Sequence, residues 1–477
     1  MKLGQISVIH FLSNISASIL GFISTIYIAR VLGSGVLGTY SVALAVVSWL
    51  GLLGTMGITS AITKRVSEQE DSEAYALAGL IIITTLFVFI SILVTLFQHN
   101  INRYVGFPAA PFIVGMLGVL LGYNLITSLL SGKHLVHITG IFSPIKTGSR
   151  AGIQIGAVIS GIGVAGLFGG YILGYLIVIL LGSYIVVKKF ERVVIPERKH
   201  FNRIIDYAKF SWLGSLRSNA FNWVDIALLG FFVSNSFIGY YTAAWNISQF
   251  LIIFGASLSQ TLFPEISKIS SEQSPRRVSS LLNTGLSYAG LFLIPGLVGG
   301  GILGEQLLRI YGPNFAQARV VLVILIVATL VQSYQRQITT TLNAIDRPDL
   351  AFRVNTVFIC TNIALNALLI YLFGWVGAAV ATATSVGISL CTGYLYLNSI
   401  IKFQVPVKEI LKQVLASAIM GVFVWGALVA EQQYIHINHN LLLVFSLVTL
   451  GASIYFVSLL ILSVTFRNTV RNNLPYI

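Results

Sequence analysis

The chain has 477 residues, of which 56% are hydrophobic and only 9% charged, with a formal net charge of +14. Soluble domains give roughly a quarter of their residues to Asp, Glu, Lys and Arg, and disordered chains combine low hydrophobicity with high charge, so both classes are excluded. Two Cys exclude a disulfide scaffold, and a mean hydropathy of +0.87 leaves an all-α polytopic membrane protein, each span crossing about 30 Å of hydrocarbon with about 20 residues.

Apolar runs between polar breaks predict about 14 transmembrane helices, near 5–29, 36–62, 75–97, 111–132, 139–160, 164–187, 205–232, 236–263, 279–304, 317–343, 351–373, 376–401, 409–430 and 441–465. They are too long and too uniformly apolar for barrel strands, which alternate. The first run exceeds the apolar core of a signal peptide, so it reads as a retained helix. Cys360 and Cys391 fall inside apolar runs and read as small buried hydrophobes. An even span count puts both termini on one side. With that side cytoplasmic, inside loops and helix ends hold 24 of the 29 basic residues, Lys146 and Arg150 among them. The outside holds Arg30, Arg103, Arg309 and Arg319, and Arg217 is left in mid-membrane. That bias sets the expected orientation, with both termini cytoplasmic. It also accounts for the net charge with no nucleic acid.

The chain repeats itself. Val36-Leu37-Gly38-Thr39-Tyr40-Ser41-Val42-Ala43 matches Phe237-Ile238-Gly239-Tyr240-Tyr241-Thr242-Ala243-Ala244 at an offset of 201. A weaker echo links Gly163-Val164-Ala165-Gly166 with Trp375-Val376-Gly377-Ala378. The expected organisation is an N-terminal six-helix bundle (1–187), a charged cytoplasmic linker (188–204), a second six-helix bundle (205–402) and two extra transmembrane helices (403–477). Parallel repeats with a seam between them suit alternating access.

Intramembrane charges are expensive and usually functional. Arg217 lies near the middle of helix 7, where its guanidinium fork suits a phosphate; the plain alternative is a pair with an acid on another helix. Asp225 lies two turns further on and reads either as an internal acceptor or as a proton- or cation-coupling group. Further candidates for the cavity wall are Asn222 on helix 7, Asn246, Gln249 and Gln260 on helix 8, His10 and Asn14 on helix 1, and Gln332 and Arg336 on helix 10. For each Asn or Gln the plain alternative is glue between helices. Asn219, on another facing of helix 7, is expected to matter less. No zinc-protease helix, nucleotide loop, Cys-x-x-Cys or nucleophile elbow is present, so no enzyme, metal site or cofactor is expected, and a coupling cation or proton stays open.

Ile28-Ala29-Arg30-Val31-Leu32-Gly33-Ser34-Gly35-Val36-Leu37-Gly38-Thr39-Tyr40 resembles the N-terminal signature of polysaccharide-export flippases, within the multidrug/oligosaccharidyl-lipid/polysaccharide exporter superfamily. Asp225 with Leu229-Gly230, Ile238-Gly239-Tyr240-Tyr241, Leu262-Phe263-Pro264, Pro295, Ile310-Tyr311-Gly312 and Phe373-Gly374-Trp375-Val376-Gly377-Ala378-Ala379 follow in the same order. The resemblance implies two six-helix bundles in a V, often with two extra helices. It also implies movement of a polyprenyl- or dolichyl-linked oligosaccharide from the cytoplasmic to the outer leaflet of the plasma membrane. Cationic residues in a central cavity would take the phosphate-sugar headgroup, a role that Arg217 matches by helix and depth. The expected partners are that lipid-linked oligosaccharide, membrane lipids and glycosyltransferases of the same pathway, with the chain a monomer. A drug/cation antiporter of the same superfamily and a non-transporting scaffold for glycan assembly are the alternatives.

Overall fold

The computed structural model describes residues 3–68, 70–190, 192–271, 274–435 and 439–473. Among them every regular element is helical. In chain order these are α1 (Leu3–Thr55), α2 (Ile58–Ser67), α3 (Ser72–Leu96), α4 (Gln98–Val105), α5 (Ala110–Gly132), α6 (Val136–Ile159), α7 (Gly163–Lys189) and α8 (Arg198–Phe232). There follow α9 (Asn235–Leu251), α10 (Ile253–Ser271), α11 (Pro275–Ala289), α12 (Leu293–Arg309), α13 (Arg319–Ala344), α14 (Pro348–Ile400), α15 (Val407–Ala430), α16 (Asn440–Leu462) and α17 (Val464–Asn473).

Among the described residues, nine stretches are long and apolar enough to cross a membrane, or ten if α9 and α10 form one broken span. The difference from fourteen has a physical cause. Two of the nine, Ile15–Thr55 and Pro348–Ile400, run 41 and 53 residues, about 60 and 80 Å at 1.5 Å per residue, or two crossings each. Each breaks where the sequence predicts, at Gly33 (φ 82°, ψ 175°) and at Gly374 (φ 59°, ψ −141°), backbone conformations that residues bearing a Cβ rarely adopt. Two more expected spans, α6 and α8, are helices too polar to pass on apolarity. The expected single spans 236–263 and 279–304 are broken, the first at Ile252 and the second between Ala289 and Leu293. Pro295 favours the second break, because it has no N–H to donate and its ring crowds the carbonyl four residues back, that of Leu291.

The chain divides by its contacts into two compact units, Met1–Gly239 and Tyr240–Ile477. In the first unit α1 packs on α5, α6 and α8, α6 lies on α7, and α2 fits between α5 and α8. Met116, Leu117, Leu121, Leu167 and Phe168 are fully buried in its core. The repeated motif meets itself here. A methyl group on Gly38 would overlap the Asn235 carbonyl oxygen, and one on Gly239 would overlap the Ser34 carbonyl oxygen. Both positions therefore need a residue with no side chain. Asn235 fastens the crossing by donating from Nδ2 to Thr39 Oγ1 at 2.8 Å and to the Val105 carbonyl at 3.0 Å.

In the second unit α13 packs along α14, α12 contacts α13 and α15, and α15 pairs with α16. Polar bonds hold these helices: Gln335 Nε2 donates to Ser389 Oγ across the α13–α14 seam, and Asn362 Nδ2 donates to Thr382 Oγ1 between the two halves of α14 on either side of Gly374. Lipid gives membrane helices no hydrophobic drive to associate, so such bonds between helices help to hold the seam. Cys360 and Cys391 are exposed on α14, contrary to the expectation that they are buried. An apolar run marks a span but not its facing, because the lipid-facing side of a span is apolar too.

Candidate functional site

The sequence-derived candidates fall on both units. Arg217, Asn222 and Asp225 lie on α8 in the first, with His10 and Asn14 on α1, whose side chains lie outside the described residues. Arg217 is half-buried, Asp225 is buried, and each has an interaction partner. Asn222 turns back on its own helix and donates to the Ser218 carbonyl at 2.7 Å. Asn246, Gln249, Gln260, Gln332 and Arg336 belong to the second unit. Gln260 is exposed and the other four half-buried. Buried Nε2 of Gln249 and Oε1 of Gln332 have no hydrogen-bond partner among the described residues.

The strongest concentration of charge inside a bundle was assigned elsewhere by the sequence. Lys146 and Arg150 were expected at a cytoplasmic helix end. They stand instead near the middle of the 24-residue α6, which starts at Val136 and runs through Pro144 without a break. Four residues apart, they share a face about 6 Å along the axis. Gln154, a further turn on, continues that face and donates to Tyr40 Oη at 2.8 Å and to the Leu167 carbonyl at 2.7 Å. The sequence signal was therefore present as Lys146, Arg150 and Gln154 at intervals of four, but the two cations were read as marking the end of a span.

Tyrosine rings from α5 and α7 enclose these cations. Lys146 Nζ lies 4.4 Å from the Tyr123 ring centre and 4.9 Å from that of Tyr175. Arg150 Cζ lies 6.0 Å from Tyr171, which stacks on Tyr175 at 4.3 Å. Among the described residues no carboxylate pairs with either cation, and the buried Arg150 Nε has no hydrogen-bond partner. A cation at the centre of a spanning helix costs about 2.5–3.5 kcal/mol on insertion scales. Three cation–π contacts at about 1 kcal/mol each recover roughly half of that for the pair. The remainder is an electrostatic demand that an anion would meet. α7 presses against this region closely: a methyl group on Gly174 would stand 2.7 Å from Arg150 Cα.

A second feature is a cavity of about 350 Å³ lined by Ser48, Gly51, Leu52 and Thr55 of α1, Thr59 of α2, Leu120, Asn124, Thr127 and Ser128 of α5, and Asn219 of α8. It is polar yet holds no charged side chain. Asn219, expected to be a bystander, clamps α8 to α1. Ser48 Oγ donates to Asn219 Oδ1 at 2.7 Å, and Asn219 Nδ2 donates to the Ser48 carbonyl at 3.0 Å. The sequence reading missed this group because Ser and Thr scattered in apolar helices resemble ordinary packing hydroxyls.

Outside the spans, α8 is anchored at its start. Glu197 and His200 form a capping box, with the Glu197 backbone N–H donating to His200 Nδ1 at 2.9 Å. Nδ1 is thus the acceptor, so Nε2 carries the proton and donates to Asp71 Oδ2 at 3.2 Å. This bond first, and Lys199 at 3.7 Å, hold the Asp71 carboxyl below its ordinary range. Tyr75 packs edge-on against the His200 ring at 4.8 Å and accepts from Arg203 at 3.2 Å.

Comparison with known proteins agrees with this architecture. A family model described as "Polysaccharide biosynthesis protein" matches residues 3–270, and one described as MatE matches residues 212–368. Two Haloferax volcanii proteins align along the whole chain. "Probable flippase AglR" is 31% identical and covers 98% of both chains. "Probable low-salt glycan biosynthesis flippase Agl15" is 26% identical and covers 99% of both. The solved structure "Lipid II flippase MurJ, inward closed conformation" matches with a TM-score of 0.81 over 97% of this chain and 100% of that one, at 17% identity, so the fold is shared. By its match over residues 3–270 and its full-length relatives, this multi-pass membrane chain belongs to the polysaccharide biosynthesis protein family.

Proposed function

We propose that this protein is a flippase that carries a polyprenyl- or dolichyl-linked oligosaccharide from the cytoplasmic to the outer leaflet by alternating access of its two repeats. The observation that carries this reading is the Lys146–Arg150 pair, two cations held mid-helix, walled by tyrosines and paired with no carboxylate among the described residues. A phosphate is the anion that a guanidinium fork and an ammonium suit best, and lipid-linked glycans present one at the junction of lipid and sugar. Both Haloferax relatives are named as flippases, and one as acting in glycan biosynthesis, which supports the same assignment. Arg217 is a third contact for the headgroup, and Asp225 is the group through which a proton or cation would be coupled.

On this reading the protein works in the cell membrane as a monomer with both termini cytoplasmic. Glycosyltransferases of its pathway supply the substrate, and transport replaces bond chemistry. Reconstitution tests it. Proteoliposomes loaded with polyprenyl-diphosphate-linked oligosaccharide should expose the glycan to an external lectin faster than protein-free vesicles do. A MatE match over residues 212–368 keeps an antiporter as the competing reading. If the same proteoliposomes leave the glycan lipid where it began but exchange an organic cation for Na+ or H+, the flippase assignment fails.

A further inference from the structure

The cavity between α1, α2, α5 and α8 is unlike the cationic face of α6. Its lining holds five hydroxyl side chains on Ser48, Thr55, Thr59, Thr127 and Ser128, and the carboxamides of Asn124 and Asn219, with no Asp, Glu, Lys or Arg. Four of these five hydroxyl protons are already committed. Thr55 donates to the Gly51 carbonyl, Thr127 to the Tyr123 carbonyl, Ser128 to the Asn124 carbonyl and Ser48 to Asn219. A hydroxyl has one proton and two lone pairs, so what these groups have left to offer is lone pairs. A wall rich in acceptors repels a phosphate, which is itself all acceptor, and welcomes a molecule that brings many O–H donors. The Asn124 carboxamide makes no hydrogen bond among the described residues and offers a donor and an acceptor together.

Size agrees. About 350 Å³ is room for about a dozen waters at roughly 30 Å³ each, and falls at the lower end of small-molecule pockets. The same helix, α5, carries Tyr123 against Lys146 and, one residue later, Asn124 into this cavity. We propose that the cavity is a subsite for an uncharged sugar unit of the transported lipid, with Asn124 the residue that recognises it. This rests on the flippase reading and divides the headgroup: phosphate toward α6, neutral sugar between α1, α5 and α8.

The test measures binding by the purified full-length protein of bare polyprenyl phosphate and of polyprenyl-phospho-glucose, -galactose and -mannose. Wild type should bind at least one hexosyl lipid more tightly than the bare phosphate. Asn124→Leu should weaken that hexosyl lipid by about tenfold, one lost pair of well-made hydrogen bonds, and leave the bare phosphate unchanged. Thr127→Val, close in shape, should weaken the hexosyl lipid by a smaller factor, again without touching the bare phosphate. Arg150→Gln should weaken all four lipids by the same factor. If no hexosyl lipid is preferred, or if Asn124→Leu and Thr127→Val leave the preference intact or weaken every lipid alike, the sugar subsite is wrong while the flippase stands. If wild type binds none of the four, the lipid-carrier reading falls and takes the subsite with it.

Discussion

Replacing Arg150 with Gln separates a substrate contact from a structural one. In a buried ion pair, loss of one partner strands the other and destabilises the fold by about 3–5 kcal/mol. Arg150 has no carboxylate to strand among the described residues. Removing it gives up one cation–π contact with Tyr171 at 6.0 Å, about 1 kcal/mol, and relieves about 2.5–3.5 kcal/mol of intramembrane charge cost. Arg150→Gln should therefore melt in detergent no earlier than wild type, and reach the membrane at normal abundance. Its affinity for polyprenyl phosphate should fall. Loss of a charged hydrogen bond costs about 1.5–3 kcal/mol, or about 10- to 150-fold. Arg150→Lys should recover part of this, keeping charge but losing the fork. Because Lys146 would act on the same phosphate, the Lys146→Gln, Arg150→Gln double variant should lose less than the sum of the single losses. An early-melting, poorly inserted Arg150→Gln protein would refute the reasoning, as would one that binds polyprenyl phosphate normally.

Arg217→Ala should lower glycan-lipid flipping by more than about tenfold at matched membrane levels, with Arg217→Lys partly active; unchanged flipping would remove Arg217 from the headgroup site. Gly38→Ala forces a methyl group onto the Asn235 carbonyl oxygen and should lower stability by about 1–3 kcal/mol, read as an earlier thermal transition than that of Gly152→Ala, where the added methyl meets nothing. Asp71 has a depressed folded-state pKa, so its bond to His200 adds stability above the ordinary carboxylate pKa and loses it as pH falls through the folded value. The gap in melting temperature between wild type and Asp71→Asn should hold at neutral pH and close below about pH 4; a gap that persists in acid would show that the charge is not what matters.

The span boundaries most legible in the sequence were those marked by residues with special backbone demands. The breaks at Gly33 and Gly374 fall between predicted spans because glycine-bearing stretches separate the apolar runs there. The interruption at Ile252 had no such marker, and nothing local distinguishes it from a continuing helix. Within the helices, Arg217 stood out because no other charged residue falls between Lys209 and Asp225. Lys146 and Arg150 did not, because α6 is amphipathic. Pro144, Lys146, Thr147, Ser149 and Arg150 together look like a span ending rather than one face of a helix enclosed by α1, α5 and α7. The hydroxyl cavity was illegible for a different reason. A Thr that bonds its own helix four residues back and a Thr that lines a cavity are the same residue in the same pattern, and here Thr55 and Thr127 do both.

The polarity of α6 also bears on how the chain is made. Two cations at the centre of one helix cost about 5–7 kcal/mol on the insertion scale, more than its remaining apolar residues repay, so α6 is a poor candidate to leave the translocon for lipid unaided. It is joined to α7 by only Ser160, Gly161 and Ile162, and Gly170 and Gly174 bring the α7 backbone up against Gln154 and Arg150. The two helices are thus built to enter the bilayer as a hairpin, with α7 and its tyrosines shielding the charges of α6 from lipid at the moment of release. Bulky residues at Gly170 or Gly174 would then be felt first during biogenesis, as chains in which α6 never takes its place across the membrane.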